Sequence, residues 1–370
     1  MPGSRGAARN VLLALGSFAF ALALLEIGAR VAVRPQARIA LPHVGLDEDA
    51  QHEARWRERK QRVAADESLL TVDPLLGWRP KPRTRRRLVM PGSSSFVATT
   101  NRDGLRGKAR VLVPKRDGRV RVGIFGCSQT FGAGVGDGET YSSLLGASLP
   151  GAEVLNFGVS GYGTDQMLLY YETVGRSFGL DVVVLAFAEY HLERNVLRFR
   201  SYAKPFFELE PDGALELRGI PIPPPDAVLA EAPVAEHTLL DRSVLLRWLW
   251  GRREGRELGR ENRSGSPAWE LTRPIIARFA AEVRASGARM VLVNVDRISP
   301  PLSAELARVA GTAAIDWIDL DPLVRAAEKR GAVLRLPHDR HFGPAGHRLI
   351  ADGLRTRLCE AGVVPCPDGA

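Results

Sequence analysis

The chain has 370 residues, of which 45% are hydrophobic, and it carries a formal net charge of +9. This composition allows a packed core and excludes wholesale disorder. The excess positive charge lies in residues 1–118, where Lys and Arg outnumber Asp and Glu two to one, whereas the remainder is close to neutral. Such a distribution suits contact with an anionic surface. No interleaved aromatics, zinc spacings or RNA-binding signature support a nucleic-acid partner.

Residues 1–34 predict a membrane segment. Two arginines precede an apolar run from Val11 to Leu25, and Glu26 and Arg30 end its strongest part. Extended through Val33, the run approaches the ~20 residues that a membrane-spanning helix needs. A cleaved signal peptide is the alternative, but no small-residue cleavage site follows, so we expect an uncleaved signal anchor with the body exported. The flanking arginines disfavour a buried core helix.

Residues 35–118 predict a connection rather than a domain. The stretch "DEDAQHEARWRERKQRVAADE" is charged and helix-prone, which is typical of a stalk or a surface helix. It is followed by "DPLLGWRPKPRTRRRLVMPGSSSFVATTNRDGLRG", which is rich in turn formers and arginine. This second stretch has too few periodic apolar residues for a core of its own, so we expect it to pack along the main body.

Residues 119–370 have the pattern of an α/β domain. Short apolar runs predict four strands, and "AAIDWIDLDP" predicts a fifth; the four are "RVRVGIFG", "AEVLNFG", "DVVVLAF" and "RMVLVNV". Apolar strands that alternate with helices indicate a parallel sheet covered on both faces. A proline-rich, charged insert at about 204–266 lies between the third and fourth strands, where a lid would be placed. Catalytic and ligand-binding residues in such sheets are expected at the carboxyl ends of the strands.

The first strand is followed by "GCSQTFG", residues 126–132. A phosphate-binding loop is excluded because the G-x-x-x-x-G-K-[ST] spacing is absent and no lysine occurs between Lys115 and Lys204. Neither the dinucleotide fingerprint nor the G-x-S-x-G elbow is present. Two interpretations of Ser128 remain, a nucleophile on a strand-to-helix turn and an ordinary helix N-cap.

The second strand ends in "NFGVSGYGTDQ", which holds Gly158, Gly161 and Gly163. Glycines let a backbone approach a substrate closely, and Gly161 is placed to present an amide to a developing oxyanion. A plain turn is the alternative, although it would explain one glycine more easily than three.

The C-terminal stretch "HDRHFGPAGHRLIADGLRTRL" supplies a candidate base. Asp339 lies two residues before His341, so it can bind the imidazole and fix its tautomer, which leaves the histidine to act on a serine. His338 is a weaker candidate, and we expect His347 to pack or lie at the surface within the following helix. No second carboxylate cluster or His-x-x-x-His pair supports a metal site, so we expect no cofactor.

Three cysteines are too few for a disulfide scaffold. Cys359 and Cys366 are close enough in sequence to bridge in an oxidising compartment. Unpaired thiols are our expectation.

Taken in order, "GCSQTFG", "NFGVSGYG" and "DRHFGPAGHRLIA" resemble the SGNH (GDSL-like) hydrolase superfamily over about residues 119–358. The pattern "DPLLGW…TNRDGLRG" resembles the lead-in of its membrane-anchored bacterial members. The resemblance implies a three-layer α/β/α, flavodoxin-like fold with Ser128 as nucleophile, His341 as base and Asp339 as the acid that orients it. It also implies that the amides of Ser128 and Gly161 donate to the oxyanion.

Two positions depart from the family pattern. Cys127 stands where the family usually has an aspartate before the serine, but that aspartate is not the triad acid. Cys127 as nucleophile is disfavoured because neighbouring residues on a turn point differently. At the third strand, "LAFAEYHLERNV" replaces a G-x-N-D-like segment with an oxyanion asparagine. We therefore consider Tyr190, His191 and Asn195 as oxyanion or substrate-binding residues, and the alternative is that this block only opens the next helix.

These patterns predict a serine-dependent ester hydrolase, an esterase or deacetylase, that acts on an O-acylated envelope glycan, glycolipid or related substrate. We expect it to be held in the membrane by its N-terminal helix, with the catalytic domain in the periplasm or at the cell surface. One alternative is an O-acyltransferase on an extracytoplasmic polysaccharide. The other is a catalytically weak binding or assembly component of such a system, which the altered third block favours.

Overall fold

In the residues that the structure describes, two helices and two hairpins precede the α/β domain. The computed structural model describes residues 4–33, 47–62, 68–90, 95–113, 115, 118–232, 239–337 and 339–366. The helices are α1 (Ser4–Ala32) and α2 (Glu48–Arg62). The antiparallel hairpins join β1 (Leu70–Asp73) to β2 (Gly77–Pro80), and β3 (Arg85–Val89) to β4 (Ser95–Thr99). Helix α1 is long and apolar enough to cross a membrane over Arg9–Ala32, with a mean hydropathy of 2.2.

The five predicted strands form one parallel sheet, as expected. The strands that follow the hairpins are β5 (Val120–Gly126), β6 (Ala152–Gly158), β7 (Val182–Phe187), β8 (Phe206–Leu209), β9 (Leu215–Arg218), β10 (Arg289–Asn294) and β11 (Asp316–Asp319). The sheet has the order β11-β10-β7-β5-β6, and β8 and β9 form a separate hairpin in the insert. All four pairings in the sheet are parallel, so every carboxyl end lies at one edge.

Helices cover both faces of the sheet. In chain order they are α3 (Ser128–Phe131), α4 (Tyr141–Ser148), α5 (Thr164–Thr173), α6 (His191–Val196), α7 (Pro225–Ala230), α8 (Val244–Glu261), α9 (Pro267–Ala285), α10 (Pro300–Ala313), α11 (Asp321–Lys329) and α12 (Pro344–Glu360). The apolar sides of α5, α9 and α10 pack in one core, and those of α4, α11 and α12 pack in the other. The predicted parallel α/β fold with an apolar N-terminal helix is therefore confirmed. It has three layers, because helices cover both faces of the sheet.

Two glycines let α3 lie directly on the strand ends. A Cβ on Gly158, at the end of β6, would stand 2.3 Å from the backbone nitrogen of Phe131. A Cβ on Gly126, at the end of β5, would stand 1.9 Å from Thr130 Oγ1. Because only a glycine leaves room for this approach, the first residue of α3 is held at the carboxyl edge of the sheet.

The segment before the α/β domain contacts it at the carboxyl edge. Trp78 of β2 donates its indole N–H to the carbonyl of Ser160 (2.9 Å), in the turn after β6. In α2, Asp49 accepts the backbone N–H groups of Arg198 and Phe199 at 2.7 Å each. The hairpin and the helix thus brace the turns that follow β6 and α6.

A buried ion pair ties the start of the insert to the sheet. Lys204 Nζ donates to Asp165 Oδ2 and to the carbonyl of Leu197 (3.0 Å), and neither charged side chain is exposed. Asp165 is near the start of α5, directly after the glycine turn of β6. Burial raises the pKa of Asp165, and Lys204 opposes that rise by favouring the ionised carboxylate.

The expectation of unpaired thiols at the C-terminus is wrong. Cys359 and Cys366 form a disulfide, with Cα atoms 5.8 Å apart. The chain reverses after α12 through Gly362, whose φ of +59° is in the left-handed region, and this reversal returns Cys366 to the helix. Cys127 is a free, buried thiol.

Lys204→Met is expected to lower the free energy of unfolding by about 3–5 kcal/mol, because it leaves the Asp165 carboxylate buried without its partner. Urea unfolding in detergent measures the change. The double variant Asp165→Asn with Lys204→Met removes both charges and should recover most of the loss. As a control, Arg273→Met breaks an exposed contact with Glu270 and should cost at most about 1 kcal/mol. Equal losses for the two single variants would contradict this account.

Candidate active site

The structure brings Ser128, His341 and Asp339 together at the carboxyl edge of the sheet. Ser128 Oγ is 2.8 Å from His341 Nε2, and His341 Nδ1 is 2.5 Å from Asp339 Oδ1. Asp339 Oδ1 also accepts the backbone N–H of His341 at 2.7 Å. A carboxylate on Nδ1 places the ring proton there and leaves Nε2 free to accept from the serine hydroxyl. The three groups form an unbroken hydrogen-bond chain.

Gln129 holds the loop of His341 against α3. Its Oε1 accepts the backbone N–H of Phe342 (3.1 Å), and its Nε2 donates to the carbonyl of Arg340 (3.2 Å). These two backbone groups flank His341 on either side. In the sequence, only the position of Gln129 next to the serine points to this role.

A second contact fixes the same loop from the end of β10. Arg335 donates to Asp296 Oδ1 (2.6 Å) and to the carbonyl of Arg340 (2.7 Å). Asp296 follows β10 and also lies 3.4 Å from Gln129 Nε2. The loop of Asp339 and His341 is therefore anchored to two strand ends, those of β5 and β10.

Two backbone amides are available beside the serine. Within the described residues, neither the N–H of Ser128 nor that of Gly161 has a hydrogen-bond acceptor. Gly161 has a φ of +91°, and a Cβ there would stand 2.5 Å from Ser201 Oγ. The turn therefore requires glycine. A bond from the Val159 amide to the carbonyl of Gly126 (3.0 Å) holds this turn beside the end of β5.

The two departures from the family pattern contact each other. Cys127 Sγ lies 3.3 Å from the hydroxyl of Tyr190. Burial raises the pKa of the Cys127 thiol, but the neighbouring His191, Arg194 and Tyr190 outweigh burial and hold that pKa well below its usual value. Burial also raises the pKa of the Tyr190 hydroxyl well above its usual value, so this group stays protonated at neutral pH and can donate a hydrogen bond. Cys127 therefore packs against Tyr190 and His191, which follow β7.

The structure buries the side chains of both His191 and Asn195. His191 is fully buried, and its Nδ1 accepts the backbone N–H of Ala188 at 3.2 Å. Asn195 is also fully buried; its oxygen accepts the amide of Asp165, and its nitrogen donates to Thr272 Oγ1 at 2.7 Å. Asn195 stabilises the turns around α6 and His191 packs against Cys127, so their role as substrate-facing donors stays a prediction.

The two weaker histidine candidates have separate outcomes. His347 is fully buried, stacks on Tyr141 and accepts its backbone N–H at 3.2 Å. Burial lowers the pKa of His347 to about 3, so it is a neutral packing residue. His338 lies outside the described residues. In the part of the chain that the structure describes, no three His, Cys, Asp or Glu side chains are grouped as metal ligands.

A cleft of about 670 Å³ opens on the Asp339 side of the hydrogen-bond chain; Asp339 lines it, whereas Ser128 and His341 do not. The residues that line the cleft include Tyr190 at the end of β7 and Asp339 in the histidine loop. One face of α8 also lines it. Gly255 and Gly259 form that face, and a Cβ on either would meet nothing within 4 Å. Charged groups of both signs line the cleft, among them Glu193 and the exposed Arg340. The cleft therefore suits a polar ligand.

Glu193→Gln is expected to change how stability depends on pH. Burial and the neighbouring Glu48 raise the pKa of Glu193 from 4.5 to about 7. Between those values the folded chain holds a proton that the unfolded chain releases, so the free energy of unfolding falls as pH rises, by about 3 kcal/mol in total. Urea unfolding across about pH 4.5–7.5 should therefore show a loss in the wild type that the variant lacks. Parallel profiles would contradict the burial of a protonated Glu193.

No family model matches the chain, and no curated protein matches it. Among solved structures, a lipolytic protein of the G-D-S-L family from Veillonella parvula is 13% identical, with a TM-score of 0.38 over 65% of this chain and 98% of that one. An acetylxylan esterase from Geobacillus stearothermophilus is 14% identical, with a TM-score of 0.39 over 66% and 94% of the two chains. In the order of its motifs, and in the groups that its fold gathers at the strand ends, the chain resembles the SGNH (GDSL-like) hydrolases.

Proposed function

We propose that this chain is a serine-dependent ester hydrolase in which Ser128 is the nucleophile, His341 the general base and Asp339 the acid that orients the histidine. The observation that carries the proposal is the hydrogen-bond chain from Ser128 Oγ through the imidazole to Asp339 Oδ1. A serine is a weak nucleophile until a neighbouring base accepts its proton, and here the base is within 2.8 Å. A helix cap would need no histidine at that position.

The reaction follows from these contacts. Ser128 Oγ attacks the carbonyl carbon of an ester while its proton moves to His341 Nε2, and the carbonyl oxygen becomes an oxyanion. The protonated imidazole then gives that proton to the departing alkoxide, which leaves an acyl group on Ser128. Water repeats the same steps to release the acid and restore the serine. Asp339 keeps the Nδ1 proton in place and stabilises the imidazolium that forms.

The oxyanion would be bound by the amides of Ser128 and Gly161, with Tyr190 as the third donor. Both amides lack acceptors within the described residues, so they are available to a ligand. The Tyr190 hydroxyl contacts Cys127, one residue from the nucleophile. The Tyr190 hydroxyl stays protonated at neutral pH, so it can donate a hydrogen bond to an oxyanion.

The cleft supports a polar, hydroxyl-bearing substrate, such as an O-acylated glycan or glycolipid of the cell envelope. Its charged lining offers hydrogen-bond donors and acceptors to the parts of a glycan that extend beyond the ester. The volume of the cleft favours a second candidate function, O-acyl transfer, in which a sugar hydroxyl replaces water as the acceptor of the acyl group. Product analysis with a soluble sugar acceptor separates the two, since only transfer yields an acylated sugar.

Two features support a location outside the cytoplasm. Helix α1 has the length and hydropathy of a membrane anchor, and its apolar side chains are exposed. The disulfide between Cys359 and Cys366 is of a kind that persists in oxidising compartments. We therefore propose that α1 enters the membrane and that the α/β domain lies on its extracytoplasmic side.

Ser128→Ala and His341→Ala are each expected to abolish turnover of a chromogenic acyl ester and labelling by a fluorophosphonate probe, because each breaks the path of the proton. Cys127→Ala is the matched control, since it removes the neighbouring nucleophilic atom while keeping Ser128. Circular dichroism checks that the variants are folded. If Cys127→Ala loses activity and Ser128→Ala retains it, the nucleophile is the thiol; labelling that survives Ser128→Ala would also overturn the assignment.

Tyr190→Phe is expected to lower turnover by ~10²–10³ with little change in KM, because the lost hydroxyl acts on the transition state. Tyr171→Phe is the control; it also removes a hydroxyl with a hydrogen bond, to Ser286, but at a distance from the site. The measurement is the steady-state rate on an activated ester. Wild-type turnover in Tyr190→Phe would mean that the oxyanion is held by the backbone amides alone.

A further inference from the structure

Helix α8 begins on the side of helix α1. The Glu26 carboxylate of α1 accepts the backbone N–H groups of Val244 and Leu245 at 2.9 and 3.0 Å, and it accepts the Ser243 hydroxyl at 2.7 Å. Arg30 adds a bond to the carbonyl of Arg242 (2.8 Å). The first amides of a helix have no partner within it, and a carboxylate is their most favourable acceptor. The apolar helix therefore provides the N-terminal cap of α8.

This contact fixes the depth at which α8 begins. Glu26 follows directly after the apolar run from Val11 to Leu25, whose side chains are not buried against the rest of the chain. A carboxylate is costly in the hydrocarbon core, so we place Glu26, which lies within the last turns of the Arg9–Ala32 span, close to the polar head groups. Because the α8 amides bind that carboxylate, α8 begins at the same level.

The composition of α8 changes along its length. Its first two turns expose apolar side chains, Leu246, Trp248 and Leu249, to the surroundings. Its later turns expose arginines, which are Arg252, Arg253, Arg256 and Arg260. Two of them lie over indole rings, Arg252 over Trp248 at 5.0 Å and Arg253 over Trp250 at 5.3 Å. Tryptophan and leucine beside exposed arginine are typical of helices that lie at a membrane surface.

We propose that α8 lies on the same bilayer that α1 enters, with Trp248 and its apolar neighbours among the head groups and the arginines on lipid phosphates. The exposed leucines and Trp248 are thereby removed from water, and the guanidinium groups meet charges of opposite sign. This inference rests on the proposed anchorage by α1.

The position of α8 has a consequence for the substrate. The far end of α8 roofs the cleft through Gly255 and Gly259, and Asn262, just after the helix, bonds to the backbone N–H and the carboxylate of Glu193. Helix α8 thus connects the membrane surface, at its N-terminal end, with the cleft, at its C-terminal end. If the proposed ester hydrolysis is correct, the favoured substrate is a lipid-carried ester whose polar part enters the cleft from the head-group layer.

Lipid quenching of tryptophan fluorescence tests the position of α8 without any need for activity. The full chain is reconstituted in phosphatidylglycerol–phosphatidylcholine vesicles, with or without brominated acyl chains. Bromine should quench part of the wild-type fluorescence, and Trp248→Phe should lower the quenched part by roughly half, with Trp250 as the other contributor. Trp317→Phe, on β11 at the edge of the sheet, is the control and should leave it unchanged. An equal quenched part in the wild type and Trp248→Phe would overturn the proposal.

A second measurement tests the consequence for catalysis. Trp248→Gln with Leu249→Gln should lower the turnover of a long-chain p-nitrophenyl ester in the vesicles about tenfold, equivalent to about 1.4 kcal/mol of lost contact, and leave the hydrolysis of soluble p-nitrophenyl acetate unchanged. Val113→Gln, an exposed apolar residue away from α8, is the control for both esters. Equal loss on the two esters would contradict a role in docking.

The possible failures are distinguishable. Release of the chain by a carbonate wash would overturn the anchorage by α1 and this inference with it. Wild-type protein without esterase activity would overturn the proposed function but not the position of α8, which the quenching measurement decides. If the chain stays in the membrane but Trp248→Phe does not lower the quenched part of the fluorescence, only the proposed position of α8 is overturned.

Discussion

The hydrogen bonds of Gln129 are the constraint on which the candidate site depends. The serine is on the first turn after β5, and the histidine is more than 200 residues later, in a loop without regular structure. Gln129 binds the backbone on both sides of that histidine, so the imidazole is fixed relative to the serine by the residue next to the serine. A loop held at one point could rotate and move the imidazole away; a loop held on both sides of it cannot.

The unusual residues of this site are best understood as one change rather than two. In the family pattern, an aspartate precedes the serine and an asparagine follows the third strand. Here a cysteine and a tyrosine occupy those places, and they contact each other. Cys127 and Tyr190 therefore pack as one unit beside Ser128.

Segments outside the sheet stabilise the site at the carboxyl edge of the sheet. The hairpin with Trp78 braces the glycine turn, the Lys204–Asp165 pair fixes the start of the insert behind it, and α8 covers the cleft. All three meet the carboxyl edge of the sheet, where loops carry the chemistry and the sheet itself gives no lateral support. The insert is thus part of the cleft as well as a covering for it.

The sequence by itself determined the five strands, their parallel direction and the positions at which polar groups follow them, because buried strands have continuous apolar runs and turns are rich in glycine. The order of the strands in the sheet came from the structure. The sequence also determined the apolar helix and the pairing of Asp339 with His341, which are only two residues apart. Tertiary structure decided the rest. The burial of His191 and Asn195, the disulfide at the C-terminus, the bridging role of Gln129 and the contact of α1 with α8 all depend on residues distant in sequence or on a reversal of the chain. No local pattern encodes such contacts, since each side chain is typical of a surface or a turn until the fold places its partner beside it.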